Sequence, residues 1–195
     1  MGKNKLQLYV ALYLSGVVNN EERKYHWGFV VGPKSENAPE VPGKRYHVKN
    51  TPVKGWEYQE VDLADVRTTT TLLARVLVAM IENQERLVSI IRSIPIIQND
   101  PNWRCRTWLA NALEAIAKDS KAVGTSELDL RKIEPTARRY VADKTSAGRY
   151  ESAANLAGPR PNLGYDHEQA DCSMNMLQTW PGSRVELLND HISPH

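Results

Sequence analysis

The chain has 195 residues, 41% of them hydrophobic and 25% charged, with a formal net charge of +2. Those proportions suit one globular domain with a single core and exclude a strong overall field for nucleic acid. Two cysteines, Cys105 and Cys172, exclude a disulfide framework. No apolar run reaches the ~18 residues that span a bilayer. The opening Met-Gly-Lys-Asn-Lys lacks the apolar core of a signal peptide, and Leu6 stands where N-myristoylation of Gly2 needs Ser or Thr. The expectation is a cytoplasmic protein whose thiols stay reduced.

In chain order, Leu6, Leu8, Val10, Leu12 and Leu14 recur at period two, which predicts a strand with one face on the core. A second strand is expected over 25–32 (Tyr-His-Trp-Gly-Phe-Val-Val-Gly), and the Pro-rich stretch 33–43 reads as a loop. Further strands are expected over about 44–49 and 56–62. Residues 68–81 fit two patterns: a Thr run with Val/Leu alternation suits a strand, while Leu72, Val76 and Ala79 also suit a helical face. A strand over about 70–81 is the preferred assignment.

Asn83 is placed to cap a helix over 84–93, with Leu87, Ile90, Ile91 and Ile94 on one side and Pro95 ending it. The turn Asn99-Asp100-Pro101-Asn102 is expected to cap a second helix over 103–118, with an apolar stripe of Trp108, Leu109, Ala112, Leu113 and Ile116. A third helix is expected over 126–142, opening at Ser126 with Asp129 three residues on and broken by Pro135. Residues 151–195 are rich in Gly, Pro, Asn, Ser and Asp and read as a flexible or loosely docked tail behind a domain of residues 1–150. Four or five antiparallel strands followed by helices make an α+β fold.

Three residues carry candidate chemistry. Cys105 lies in the first turn of the second helix, between Arg104 and Arg106, where N–H groups and positive charge lower a thiol pKa. The alternative is a small buried hydrophobe. His26 shares a strand face with Gly28 and Val30, opposite Tyr25, Trp27, Phe29 and Val31. A helix packed across the His26 face would bring Cys105 to the imidazole, as a nucleophile with its base. His47, on the next strand, is a candidate to hold the other ring nitrogen of His26, with Glu57, Tyr58 and Glu60 as spare candidates. Trp27, Trp103, Arg104 and Arg106 are the expected substrate-binding residues around the thiol, while Trp108 belongs to the core.

A histidine strand "HWGFVVG", a following "YHVKN" and a later helix opening "WRCRTWLANAL" resemble the circularly permuted branch of the NlpC/P60-like, papain-related fold. They also resemble small fungal proteins carrying a "YHW-x(3)-VGP" strand and a "W-x-C-x(2)-W" helix. The resemblance covers roughly residues 5–145. It implies a papain-like sheet packed against helices, with Cys105 as nucleophile, His26 as base and His47 as third member. The implied activity is acyl transfer through a thioester on an amide or thioester, as hydrolase or acyltransferase. The acyltransferases of that branch carry Asn immediately before the cysteine; here Arg104 stands there, so substrate class is not inherited.

The implied partner is a small-molecule or peptide acyl substrate. A rival is an aminoacyl-tRNA, by analogy with arginine-containing cyclodipeptide synthesis, met by the basic span Arg131, Lys132, Arg138, Arg139, Lys144 and Arg149. A further rival is a non-catalytic papain-like binding module. No phosphate-loop or dinucleotide fingerprint and no Cys-x2-Cys pair is present, so neither cofactor nor metal is expected. Asp166, His167, Cys172, His191 and His195 could supply metal ligands by composition only.

Overall fold

The computed structural model describes residues 5–17, 19–67, 71–148, 150 and 173–175. The strands are β1 (Leu6–Leu14), β2 (Tyr25–Pro33), β3 (Gly43–Thr51), β4 (Gly55–Leu63), β5 (Leu72–Ile81), β6 (Val123–Ser126) and β7 (Ser173–Asn175). The helices are α1 (Gln84–Ser93), α2 (Cys105–Asp119) and α3 (Leu130–Ser146). β1 to β6 form one antiparallel sheet in the order β4-β3-β2-β1-β5-β6, and β7 adds to β5 in parallel. The α+β class is as expected, with more strands than the four or five anticipated.

β1 lies near the middle of the sheet, between β2 and β5, and its residues Leu8 to Tyr13 are all buried. It was expected to bury one face; it buries both. Leu8, Val10 and Leu12 join the core beneath the helices, while Tyr9, Ala11 and Tyr13 join a second cluster on the other face. β5 is buried on both faces as well, and its register against β1 shifts at Leu8/Tyr9 and Leu12/Tyr13. Those shifts explain why Leu72–Ile81 fails to show a clean period of two and mimics a helical face.

The helices cover one face only. Asn83 caps α1 by accepting from Arg86 N–H, and Leu87 and Ile91 point inward. Ile94, the residue before Pro95, is extended at φ −70, ψ 122, which ends the helix. α2 buries Trp108, Leu109, Ala112, Leu113 and Ile116, the anticipated stripe, and stops at Ser120 in the left-handed region. Two helix starts differ from expectation. α2 opens at Cys105 behind Arg104, because Asp100 spends its side chain on Asn102 N–H within the preceding turn. α3 opens behind Asp129, whose carboxylate accepts from Arg131 N–H, while Ser126 belongs to β6. Pro135 does not divide α3; burial of Ile133, Ala137 and Val141 on one stripe carries the helix past the missing N–H.

On the second face the 34–43 loop folds back over the sheet. Val41, Leu63 and Val66 pack on Tyr9, Val30 and Leu77. Arg67 ties the loop down through the carbonyls of Glu36 at 3.0 Å and Pro39 at 2.8 Å. Beneath it, Arg75 is 2% exposed and makes a two-pronged pair with Glu36, 2.9 Å on each arm, over the Tyr9 ring. The expected tail lies outside the described residues, apart from β7.

Candidate active site

α2 packs on the sheet face that carries Phe29 and Tyr58, whose rings lie 5.9 Å from that of Trp108. This reverses the expectation that the helix crosses the His26 face. Strand parity then sends the rings of His26 and Trp27 to opposite sides, and Cys105 belongs to the helix-side core with Trp27. The thiol meets β2 at its backbone: Sγ accepts from Trp27 N–H at 3.4 Å. It can do so because the β2–β3 ladder begins at Gly28↔His47, which leaves Trp27 and His26 beyond the paired stretch. The sulfur therefore sits one peptide from His26.

His47 is where the sequence left it open to be. It pairs across from Gly28, on the same face as His26, and its Nδ1 lies 2.7 Å from His26 Nε2. Gly28 makes this contact sterically feasible: a Cβ there would lie 3.0 Å from both His47 Cβ and the Tyr46 carbonyl oxygen. His47 occupies the space that the missing Gly28 side chain leaves. The spare candidates are engaged elsewhere, Glu57 with Thr51 and Lys54, Tyr58 with Glu60, and Glu60 with Arg92.

The electrostatics differ from the expected low-pKa thiol. Burial pushes the Cys105 thiol above its usual range, outweighing the backbone N–H groups of Trp27, Arg106 and Cys105 and the charge of Arg104, which favour the thiolate. Burial, aided by Arg45 and Lys49, pushes His26 down to about 4. Burial, then Arg45, His26 and Lys49, pushes His47 down to about 3. All three groups are neutral at pH 7. These shifts oppose a preformed thiolate–imidazolium pair and leave a neutral imidazole facing the task of general base.

The residues expected to bind substrate are mostly committed. Trp27 is fully buried, and Trp103 is 3% exposed with its ring edge-on to Trp56 at 5.1 Å. Arg106 is held by Glu134 at 2.8 Å and Glu22 at 2.5 Å, which ties the β1–β2 turn to the start of α2. Arg104 reaches back to the Pro101 carbonyl at 2.7 Å. In the basic span, Arg131 pairs with Asp129, Lys132 with Glu127 and Arg138 with Glu134. Arg149 and the composition-based ligands Asp166, His167, Cys172, His191 and His195 lie outside the described residues. Among the described residues no cluster of three metal-ligating side chains occurs, and no helix is long and apolar enough to cross a membrane.

Sequence reasoning missed the cations around the histidine pair. Arg45 and Lys49 flank His47 at period two on β3, and Tyr13 stands opposite His26 on β1 with ring centroids 6.2 Å apart. Period-two parity on β3 was the available signal.

The architecture is an antiparallel sheet covered by helices on one face, with a cysteine at a helix start against a histidine strand. The chain belongs to a family of unknown function, DUF6914, whose model matches residues 5–167. No curated protein and no solved structure matches it.

Proposed function

We propose that the protein is a cysteine-dependent acyl-transfer enzyme, a hydrolase or acyltransferase acting through a thioester on Cys105. The observation that carries this is the sulfur bound to Trp27 N–H, one peptide from a histidine whose far ring nitrogen is already held by a second histidine. His26 Nε2 is spent on His47, so Nδ1, the nitrogen nearer the backbone, is the one left for the thiol. That role requires His26 to donate Nε2–H to His47 Nδ1, which in turn places the His47 proton on Nε2. His26 and Cys105 make no hydrogen bond to each other in the resting structure, so the reaction requires Nδ1 and Sγ to approach at the end of the β2–β3 ladder, beyond Gly28↔His47.

In the mechanism, Sγ attacks the acyl carbon as His26 Nδ1 takes the S–H proton. The Cys105 backbone N–H, at an uncapped helix start, faces the developing oxyanion. The carbon–leaving-group bond breaks as His26 returns the proton to the leaving group, which gives a thioester. Water or an amine then attacks the thioester with His26 again as base, and the thiol is released. Kinship with papain-like proteins, carried by the "HWGFVVG", "YHVKN" and "WRCRTWLANAL" motifs, belongs to the same proposal.

One observation favours a second, non-catalytic role: Cys105 is 8% exposed and its thiol is held protonated. In that case the sheet and helices would form a binding module with a structural cysteine. Intact-mass analysis after incubation with an acyl thioester and with p-nitrophenyl acetate separates the two. A nucleophile gives one acyl adduct on Cys105; Cys105→Ala loses turnover by ~10³-fold or more while keeping its fold, and His26→Ala loses ~10²–10⁴-fold. An unmodified native Cys105 under both reagents assigns the protein to the binding class.

A further inference from the structure

Arg104 ends on the Pro101 carbonyl, and the other arginines withdrawn from solvent elsewhere each face a carboxylate: Arg67 with Asp65, Arg75 with Glu36, Arg106 and Arg138 with Glu134. Arg45 is also half-buried and faces none among the described residues. Its guanidinium lies 5.0 Å over the Tyr13 ring, and its Nε is buried without a hydrogen-bond partner. Two residues along the same strand face, His47 is 4% exposed, and its Nε2 is likewise buried and unpartnered. Lys49, next on that face, is exposed, and Glu57, which pairs across from it on β4, makes its ion pair with Lys54.

Gly28 pairs with Ala11 on one side and with His47 on the other, so the two smallest side chains lie side by side among Tyr13, His26, His47 and Arg45. Arg45 pairs across from Val30 and reaches diagonally past Gly28 to Tyr13. Arg45 and the two neutral imidazoles thus ring Gly28 and Ala11, and no carboxylate among the described residues pairs with Arg45. Arg45 Nε–H is a buried donor without an acceptor, and His47 Nε2 is another in the tautomer whose Nδ1 accepts from His26; each costs about 1–3 kcal/mol, more when charged, and an arginine fork matches the oxygens of a carboxylate or phosphate.

We propose that Arg45, Lys49 and His47 form a binding site for an oxyanion, a carboxylate or phosphate group of a small molecule, on the sheet face opposite the helices. Binding needs nothing from Cys105. On the nucleophile role proposed above, the oxyanion is part of the acyl substrate, which makes that substrate an acid. The site then has a second effect. Arg45 and Lys49 are the charges that help keep His26 and His47 from accepting protons, and a bound anion cancels them. The substrate would raise the basicity of the base that acts on it.

The test uses the full chain carrying Cys105→Ala, with the imidazole C–H signals of His26 and His47 followed by NMR. Inorganic phosphate and malonate are titrated separately, which distinguishes the two sources of the group. Saturable shifts of both histidines by either anion, with their protonation midpoints moved upward, are expected. Arg45→Gln, and more mildly Lys49→Gln, should weaken binding about tenfold or more, whereas Arg45→Lys keeps part of it and Arg139→Gln changes nothing. No saturable shift with either anion at 100-fold excess, or the same shift in a folded Arg45→Gln protein, overturns the site. The substrate link is read in the protein with native Cys105 from the ratio of alkylation rates by iodoacetate and iodoacetamide. The site predicts a ratio that falls several-fold in Arg45→Gln; anion binding with an unchanged ratio keeps the site and removes its link to the thiol.

Discussion

The histidine pair is a neutral, buried hydrogen-bonded unit, and its consequences for pH follow from which state binds more protons. Unfolded, each histidine titrates near its ordinary value of 6.5; folded, His26 titrates at about 4 and His47 at about 3. Between those limits the unfolded chain holds more protons, so stability rises with pH. The contribution is complete above pH 6.5 and is lost progressively below it, down to about 4 for His26 and about 3 for His47. Each histidine contributes at most ~1.4 kcal/mol per pH unit. Urea midpoints should therefore drop between pH 6.5 and 4, and more steeply in wild type than in His47→Asn. Titration of both imidazoles near pH 6.5 in the folded protein would contradict the neutral pair. The same chemistry sets the demand on catalysis, since a thiol raised by burial and a base lowered by burial meet only when something shifts them.

At the level of elements, much was legible because local rules decided it. The Asn83 cap, the Pro95 stop and the Trp108–Ile116 stripe sit where side-chain hydrogen bonding and period 3.6 put them. So does the His26 parity, because alternation in a strand is rigid. What was not legible depended on partners far along the chain. The helix could pack on either face of β2, and only the match of Phe29 and Tyr58 to Trp108 chose the face. β6 is four residues long and exists because Ala79 and Ile81 offer it an edge. The pairing of Arg131, Lys132 and Arg138, by contrast, is local, with acids two, five and four residues before them in the chain, and was legible from spacing. Close strand approach gives one sharp test. A Cβ at Gly43 would collide with the Val66 side chain and with the Val31 carbonyl, a backbone atom that cannot swing away. Gly43→Ala should cost about 1–3 kcal/mol or more by urea unfolding. A Gly43→Ala protein as stable as wild type would mean that β3 does not start against β2 as described.

For the molecule as a whole, the two faces of the sheet are held by different means. The helix face relies on apolar packing, while the other face has a buried cation at its centre. Arg75 depends on Glu36, and Glu36→Ala leaves that charge unpaired, which should cost about 3–5 kcal/mol. Lys24→Ala, which breaks a pair whose side chains are 48% and 78% exposed, should cost less than about 1 kcal/mol. Equal effects on the urea midpoint would refute the difference in role. The inner position of β1 has a further consequence, for synthesis. Its two neighbours are β2, which follows at once, and β5, which begins at Leu72. At ~5–20 residues per second of translation, β1 therefore spends several seconds on the ribosome with one edge bare and both apolar faces uncovered. That nascent Leu-Gln-Leu-Tyr-Val-Ala-Leu-Tyr-Leu segment is where a chaperone would have most to protect.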